Sequence, residues 1–172
     1  MLRLEKVSNI YFDSIRRMKQ DYIDNAEGRI QGSGSVEKYS DLNEWLESIN
    51  RIEKGIDNKV MKTSFYLIIN GEEVVGTISY RNELTDELKE FGGQIGYSIK
   101  PSARRKGYAS EALKLLLDIH KEEVMIMCET SNVASNKVIL KNNGVLIDNI
   151  MRYGLSINRY KVNATDSCVD SM

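Results

Sequence analysis

The chain is poor in the residues that most narrow a function. Among its 172 residues there are one proline, one histidine, one tryptophan and two cysteines. The single histidine, His120, argues against a His-rich metal site and against a Ser-His-Asp triad, so no metal is expected. It stands where a helix ends, a place where a solvated imidazole is unremarkable. Cys128 lies in an apolar run and Cys168 in a polar tail. That placement does not suggest a disulfide framework, and a reducing cytoplasm is the expected compartment. No apolar run approaches membrane-spanning length, and the opening "MLRLEKVSN" has no hydrophobic leader region. A net charge of -1 removes any global pull toward nucleic acid or membrane, so an electrostatic function has to be local.

What is present reads as one α/β domain over residues 1–163, followed by a tail over 164–172 whose composition predicts disorder. Leu2 to Val7 predicts a first strand. Tyr11, Ile15, Met18 and Tyr22 then recur at the spacing of one helix face. Residues 27–38, "EGRIQGSGSVEK", are rich in glycine and serine and predict a mobile loop. Leu42, Trp45, Leu46, Ile49 and Ile52 form the stripe of a second helix, with Asp41 and Glu44 spaced as a capping pair. "SFYLIINGEEVVGTISY" predicts a hairpin turning at Asn70-Gly71 through a type I′ turn.

After an acidic segment, Ile95, Tyr97 and Ile99 alternate with Gly96 and Ser98 as a strand with two unlike faces. Gly96 within it points to a bulge or to close backbone approach by another segment. Ala109 to Lys121 predicts a helix burying Ala109, Ala112, Leu113, Leu116 and Ile119. "VMIMC" reads as a central strand. Asn132 to Gly144 reads as a helix with Gly144 as its C′ residue, and strands follow at Val145–Met151 and Arg159–Val162.

The densest run of positive charge lies in "PSARRKGYASEAL", where the only proline and three consecutive cations precede a glycine and a helix. A helix start presents unpaired N–H groups and partial positive charge, and Gly107 would let phosphate oxygens approach them. Lys100, Arg104, Arg105 and Lys106 add charge, with no carboxylate between Tyr97 and Ala109. Two descriptions fit: a phosphate cradle, or a solvated basic loop. Neither a P-loop nor a dinucleotide glycine fingerprint is present.

Arg104-Arg105-Lys106-Gly107-Tyr108-Ala109 matches the R/Q-x-x-G-x-G/A signature of the GNAT superfamily of acetyltransferases. "GGQIGYSIKPSARRKGYASEAL", "VVGTISYRNEL" and "CETSNVASNKVILKNNGVL" resemble, in that order, the bacterial group known as predicted acetyltransferases. The resemblance implies an α/β fold with a mixed, mostly antiparallel central sheet, splayed middle strands and helices on both faces. It implies acetyl-CoA as co-substrate, with its pantetheine arm beside Tyr97, Ser98 and Ile99. Its pyrophosphate would lie on the amides from Arg105 through Lys106, Gly107, Tyr108 and Ala109 to Ser110, with Arg104 at the first motif position. Asn132 and Ser135 correspond to the polar pair that opens the next helix and contacts the cofactor, although helix capping alone would also explain them.

The resemblance also implies acetyl transfer to a primary amine by direct attack. The tyrosine that commonly protonates the thiolate would fall at Ile139, so that acid is missing here. Glu129 and Glu83 are the candidate bases, Tyr97 and Tyr153 are candidate donors, and Gln94 could orient an amine. The acid-rich segments around Glu83–Glu90 and Asp41–Glu53 allow a cationic acceptor such as a polyamine. The expected partners are acetyl-CoA and a small-molecule or peptide amine, without nucleic acid or membrane, and a homodimer is left open. The alternative is a module that binds the cofactor as a sensor without chemistry.

Overall fold

A computed structural model of the chain describes residues 1–164. The expected tail, Cys168 included, otherwise lies outside the described residues. Two antiparallel sheets form, and they part company in the middle of the molecule. The first contains β1 (Leu2–Lys6), β2 (Thr63–Asn70), β3 (Glu73–Arg81) and β4 (Ile95–Ile99), in that order. The second contains β5 (Val124–Glu129), β6 (Val145–Arg152) and β7 (Leu155–Val162) in the order β5-β7-β6. The helices are α1 (Phe12–Asp24), α2 (Leu42–Glu53), α3 (Asp86–Glu90), α4 (Tyr108–His120) and α5 (Val133–Lys141). None is long and apolar enough to cross a membrane.

The period-two pattern of β2 and β3 feeds two cores. Phe65, Leu67, Ile69 and Val74 face α1 and α2, where Ile15, Met18, Trp45 and Ile49 are fully buried. Tyr66, Ile68, Val75 and Ile78 face the opposite way, against Leu113 and Leu116 of α4 and Ile126 of β5. Each such aliphatic side chain contributes about 1.5–3 kcal/mol by leaving water. On α4 the buried face runs through Leu113, Leu116 and Leu117, while Ile119, expected inside, is half exposed.

Four further expectations are corrected. The hairpin turns one residue later than predicted: Asn70 pairs with Glu73, so Gly71-Glu72 is the loop. Only Gly71 takes positive φ (+64°), the pattern of a type II′ rather than a type I′ turn. On α5 the left-handed C′ residue is Asn143. Gly144 follows it and donates to Ile139 O at 3.0 Å, completing a Schellman motif. A Cβ on Gly144 would lie 2.5 Å from the Ile139 side chain, which is why glycine stands there. β5, expected to be central, pairs only with β7.

The loop over 27–38 is also not loose. Ile30, Ser33 and Val36 are buried, Ser33 Oγ donates to Ile30 O (2.7 Å), and the Trp45 indole donates to Ser33 O (2.8 Å). Its Gly32 lies directly on β4, where a Cβ would stand 2.3 Å from Gly96 O. This is the close backbone approach that a glycine inside β4 had suggested.

Candidate active site

The backbones of the two sheets meet where Gln94 comes against Met125. Gln94, buried just before β4, donates its N–H to Met125 O (2.8 Å) and accepts from Met125 N through its side-chain oxygen (3.0 Å). Gly93 allows this approach, since a Cβ there would come within 2.9 Å of Met125 O. Beyond this clamp β4 pairs with β3 and β5 with β7, leaving a gap between them. Gln94 thus joins the sheets rather than serving an amine.

The register of β3 with β4 decides which backbone groups face the gap. Arg81 N donates to Gln94 O and Lys100 N to Val75 O, both at 2.8 Å, so alternate β4 residues point their amides at β3. Ile95, Tyr97 and Ile99 therefore point theirs away from it. Ile99 O accepts from Arg104 Nε (2.9 Å), whereas the N–H and C=O of Tyr97, facing the gap, have no hydrogen-bond partner among the described residues. The Tyr97 phenol crosses to α5 and lies 2.7 Å from Ser135 Oγ. Ser98 Oγ turns to the other face and donates to Gln31 O (2.9 Å).

A 3-10 turn at Pro101–Ala103 leads to the cationic loop, and Gly107 at φ +81° precedes α4. That angle is the reason for glycine here, and its Cβ direction opens onto empty space. The first amides of α4, those of Tyr108, Ala109 and Ser110, have no intrahelical acceptor, and Gly107 contributes no side-chain cap.

The charges divide differently than the sequence suggests. Lys100 is buried in an ion pair with Glu73, and Arg104 makes a two-pronged pair with Glu27 (2.6 and 2.7 Å). Arg105, held at φ +63°, faces the cavity, while Lys106 is exposed outside it. Lys137 and Lys141 of α5 supply cations that sequence reasoning missed. Their three-to-four spacing was the available signal. Tyr22 was missed as well, and its buried hydroxyl lines the same cavity with no hydrogen-bond partner among the described residues.

Two cavities open along the gap. One, of about 900 Å³, runs from the head of α4 past Arg104, Tyr108, Ala109 and Ser110 to Ser98 and Ile99. The other, of about 480 Å³, is walled by Leu88, Phe91, Met127, Cys128 and Glu129, with Arg29 and Arg81 at its edge. They meet at Gln31, Tyr97, Asn132 and Ser135. Asn132 also caps α5, accepting from Ser135 N (3.1 Å). Glu83 is exposed and does not line either cavity, nor do the other acids of α2 and α3. Tyr153 stands in solvent against Phe91. Ile139 is sealed in the core, so its position does not face the gap.

Burial pushes the Tyr97 phenol up to about 12, against a smaller opposing effect of its hydrogen bond to Ser135. Cys128, expected to be buried, is half-buried on the cavity wall, and desolvation raises its thiol above the usual range. Both groups are therefore neutral near pH 7. An anion-binding helix start, a strand with unpaired amide groups and an orphaned buried hydroxyl on one cavity fit an extended, phosphate-bearing, amide-containing ligand.

Comparison with known proteins agrees with this geometry. The family model for the acetyltransferase (GNAT) domain matches residues 15–144. No curated protein matches the sequence. Among solved structures, the fold is shared with RimL, a ribosomal L7/L12 alpha-N-protein acetyltransferase in complex with coenzyme A. The identity is 17%, the TM-score 0.67, and 96% of each chain is covered. Mycobacterium smegmatis RimJ in complex with CoA-disulfide superposes with a TM-score of 0.70 at 16% identity, over 96% of this chain and 83% of that one. The microcin C7 self-immunity acetyltransferase MccE, in complex with acetyl-CoA and AMP, gives 0.66 at 16%, over 94% and 92%. With the splayed strands, the glycine-led helix and three quarters of the sequence matched, the chain belongs to the GNAT acetyltransferase family.

Proposed function

We propose that the chain transfers the acetyl group of acetyl-CoA to a primary amine, the amine attacking directly while both substrates are bound. The observation that carries this reading is the meeting of two cavities at Tyr97, Asn132 and Ser135. In it, the amides of Tyr108, Ala109 and Ser110 take the pyrophosphate, helped by Arg105 and the nearby Lys106, and Gly107 leaves the approach clear. Arg104 acts by bracing Ile99 and Glu27. The free N–H and C=O of Tyr97 hold the pantetheine amides alongside Ser98 and Ile99, and Asn132 and Ser135 close the far side.

Acetyl-CoA supplies an activated thioester. Glu129, on the acceptor-side wall, takes the proton of the incoming ammonium directly or through water; Glu83 lines neither cavity and is out of reach. Tyr97, protonated and hydrogen-bonded to Ser135, gives its proton to the sulfur as the C–S bond breaks and the N–C bond forms, and the second proton that the nitrogen loses on becoming an amide returns to the phenol through Ser135 or water. The neutral Cys128 thiol is a poor nucleophile, which favours direct attack over an acetyl-enzyme. Chemistry on acetyl-CoA is consistent with a cytoplasmic location.

The test is Gly107→Asp, which sets a carboxylate in the open space before α4. Calorimetry should show acetyl-CoA binding lost while circular dichroism stays native. Unchanged affinity would overturn the cofactor assignment. Binding retained by the natural chain without amine-dependent release of free CoA thiol would instead identify a cofactor sensor.

A further inference from the structure

Two arginines at the acceptor-side cavity have no carboxylate partner among the described residues. Arg81, at the end of β3, donates through Nη1 to the carbonyls of Gly92 (3.3 Å) and Gly93 (2.8 Å), which fixes its guanidinium against the chain entering β4. Arg29, exposed on the segment after α1, lines both cavities. Burial and the charge of Arg29 both lower the pKa of Arg81, so the two cations oppose each other. Arginine nonetheless stays protonated at neutral pH.

Most acids of the neighbouring segments are engaged elsewhere: Glu90 pairs with Arg152, Asp86 with Lys89, Asp148 with Arg159, and Glu27 with Arg104. Glu83 and Glu87 are exposed and line neither cavity. The carboxylate on the cavity wall is Glu129, and the apolar part of that wall runs through Leu88, Phe91, Met127 and Ile157.

We infer that the acceptor is a zwitterion: an amine carrying its own carboxylate or phosphate, with the amine at Glu129 and the oxyanion held by Arg29 and Arg81. Guanidinium groups bind such oxyanions through paired, charge-assisted hydrogen bonds. An oxyanion between the two arginines also relieves their mutual repulsion. A polyamine meets two cations instead and is rejected. The acid-rich segment at Glu83–Glu90 reaches this cavity only through Leu88, and none of the acids that suggested a cationic acceptor lines it. The inference rests on the acetyl-transfer reading for the direction in which the amine points.

The experiment uses the full chain with acetyl-CoA, free CoA thiol as readout, and matched acceptors. These are the peptides Ser-Glu-Glu-amide and Ser-Gln-Gln-amide, phosphoethanolamine and ethanolamine, and spermidine. At least one anionic member should exceed its neutral partner in kcat/KM by about tenfold or more, the worth of one charge-assisted bond. The peptide and phosphate arms tell the two oxyanion sources apart. Arg29→Glu should abolish that preference and Arg29→Lys should keep most of it, with circular dichroism native in both. Calorimetry of the same acceptors against the CoA-saturated chain supplies an arm that needs no turnover. Equal kcat/KM within every pair, or a preference unchanged in Arg29→Glu, overturns the inference and leaves acetyl transfer standing. Charge-selective, Arg29-dependent binding without turnover overturns acetyl transfer and leaves the anion site standing. Absence of both overturns both.

Discussion

Tyr97 of β4 and Ser135 of α5 hydrogen-bond across the gap at 2.7 Å, tying the first sheet to the helix that follows β5. The pair stands where the two cavities meet, so on the proposed reading a change there should reach chemistry before it reaches folding.

Tyr97→Phe should lower kcat by about 10²-fold, the usual contribution of a positioned proton donor, and leave the acetyl-CoA Kd within a few-fold. Pre-steady-state thiol release with titration calorimetry separates the two effects. An unchanged kcat would move the donor role to Ser135 or to solvent.

Gln94→Leu removes the side-chain half of the clamp and leaves its backbone half in place. The Met125 N–H loses its acceptor in a part-buried place, so stability should fall by about 1–3 kcal/mol in urea unfolding. The cost should come with weaker acetyl-CoA binding, because the angle between β4 and β5 is set at this point.

Gly32 and Gly96 touch, yet their substitutions should not be alike. Gly32→Ala sets a Cβ 2.3 Å from Gly96 O at a residue with φ +73°, and should cost about 3 kcal/mol or detach the loop. Gly96→Ala meets its nearest atom, Gly32 N, at an ordinary 3.5 Å and should cost about 1 kcal/mol or less. Urea melts with limited proteolysis of residues 27–38 check both.

Alkaline stability follows from two phenols. Tyr97 and Tyr80 are both pushed up to about 12, Tyr97 chiefly by burial, Tyr80 by burial and then its bond to Glu122. Unfolding lets each ionise near its ordinary value of about 10. Their stabilisation is therefore complete below pH ~10 and is lost as pH rises toward ~12. Thermal melts from pH 8 to 11.5 should fall along that window, less steeply in Tyr97→Phe.

Much of this was readable from local pattern. The two-faced β4 was legible from Ile95, Tyr97 and Ile99, and the glycine-led α4 from Arg104 to Ala109, because strand period and helix start are short-range properties. Pairing across the chain was not. Lys100 and Arg104 look free in sequence, but their partners Glu73 and Glu27 lie far away along it. Nothing local separates a cation that is neutralised from one, such as Arg81, that is not. The loop over 27–38 misled for the same reason: its glycines permit close packing onto β4 as readily as motion, and only the partner, Gly96, decides between them. The turn at Gly71 missed by one residue because its register is set by the β2–β3 ladder, bulged at Ile68/Ile69, rather than by the turn residues alone.

The parted sheets have a thermodynamic corollary. Tyr97 offers a free N–H and C=O to a place where a neighbouring strand would ordinarily run, so an extended amide ligand there finishes a ladder the polypeptide leaves open. Such a guest is counted among the elements of the fold. By mass action, ligand at a hundred times its Kd adds about 2.7 kcal/mol to the native state. The melting temperature of this protein should therefore rise and fall with its acyl donor, making endurance in the cell a gauge of supply.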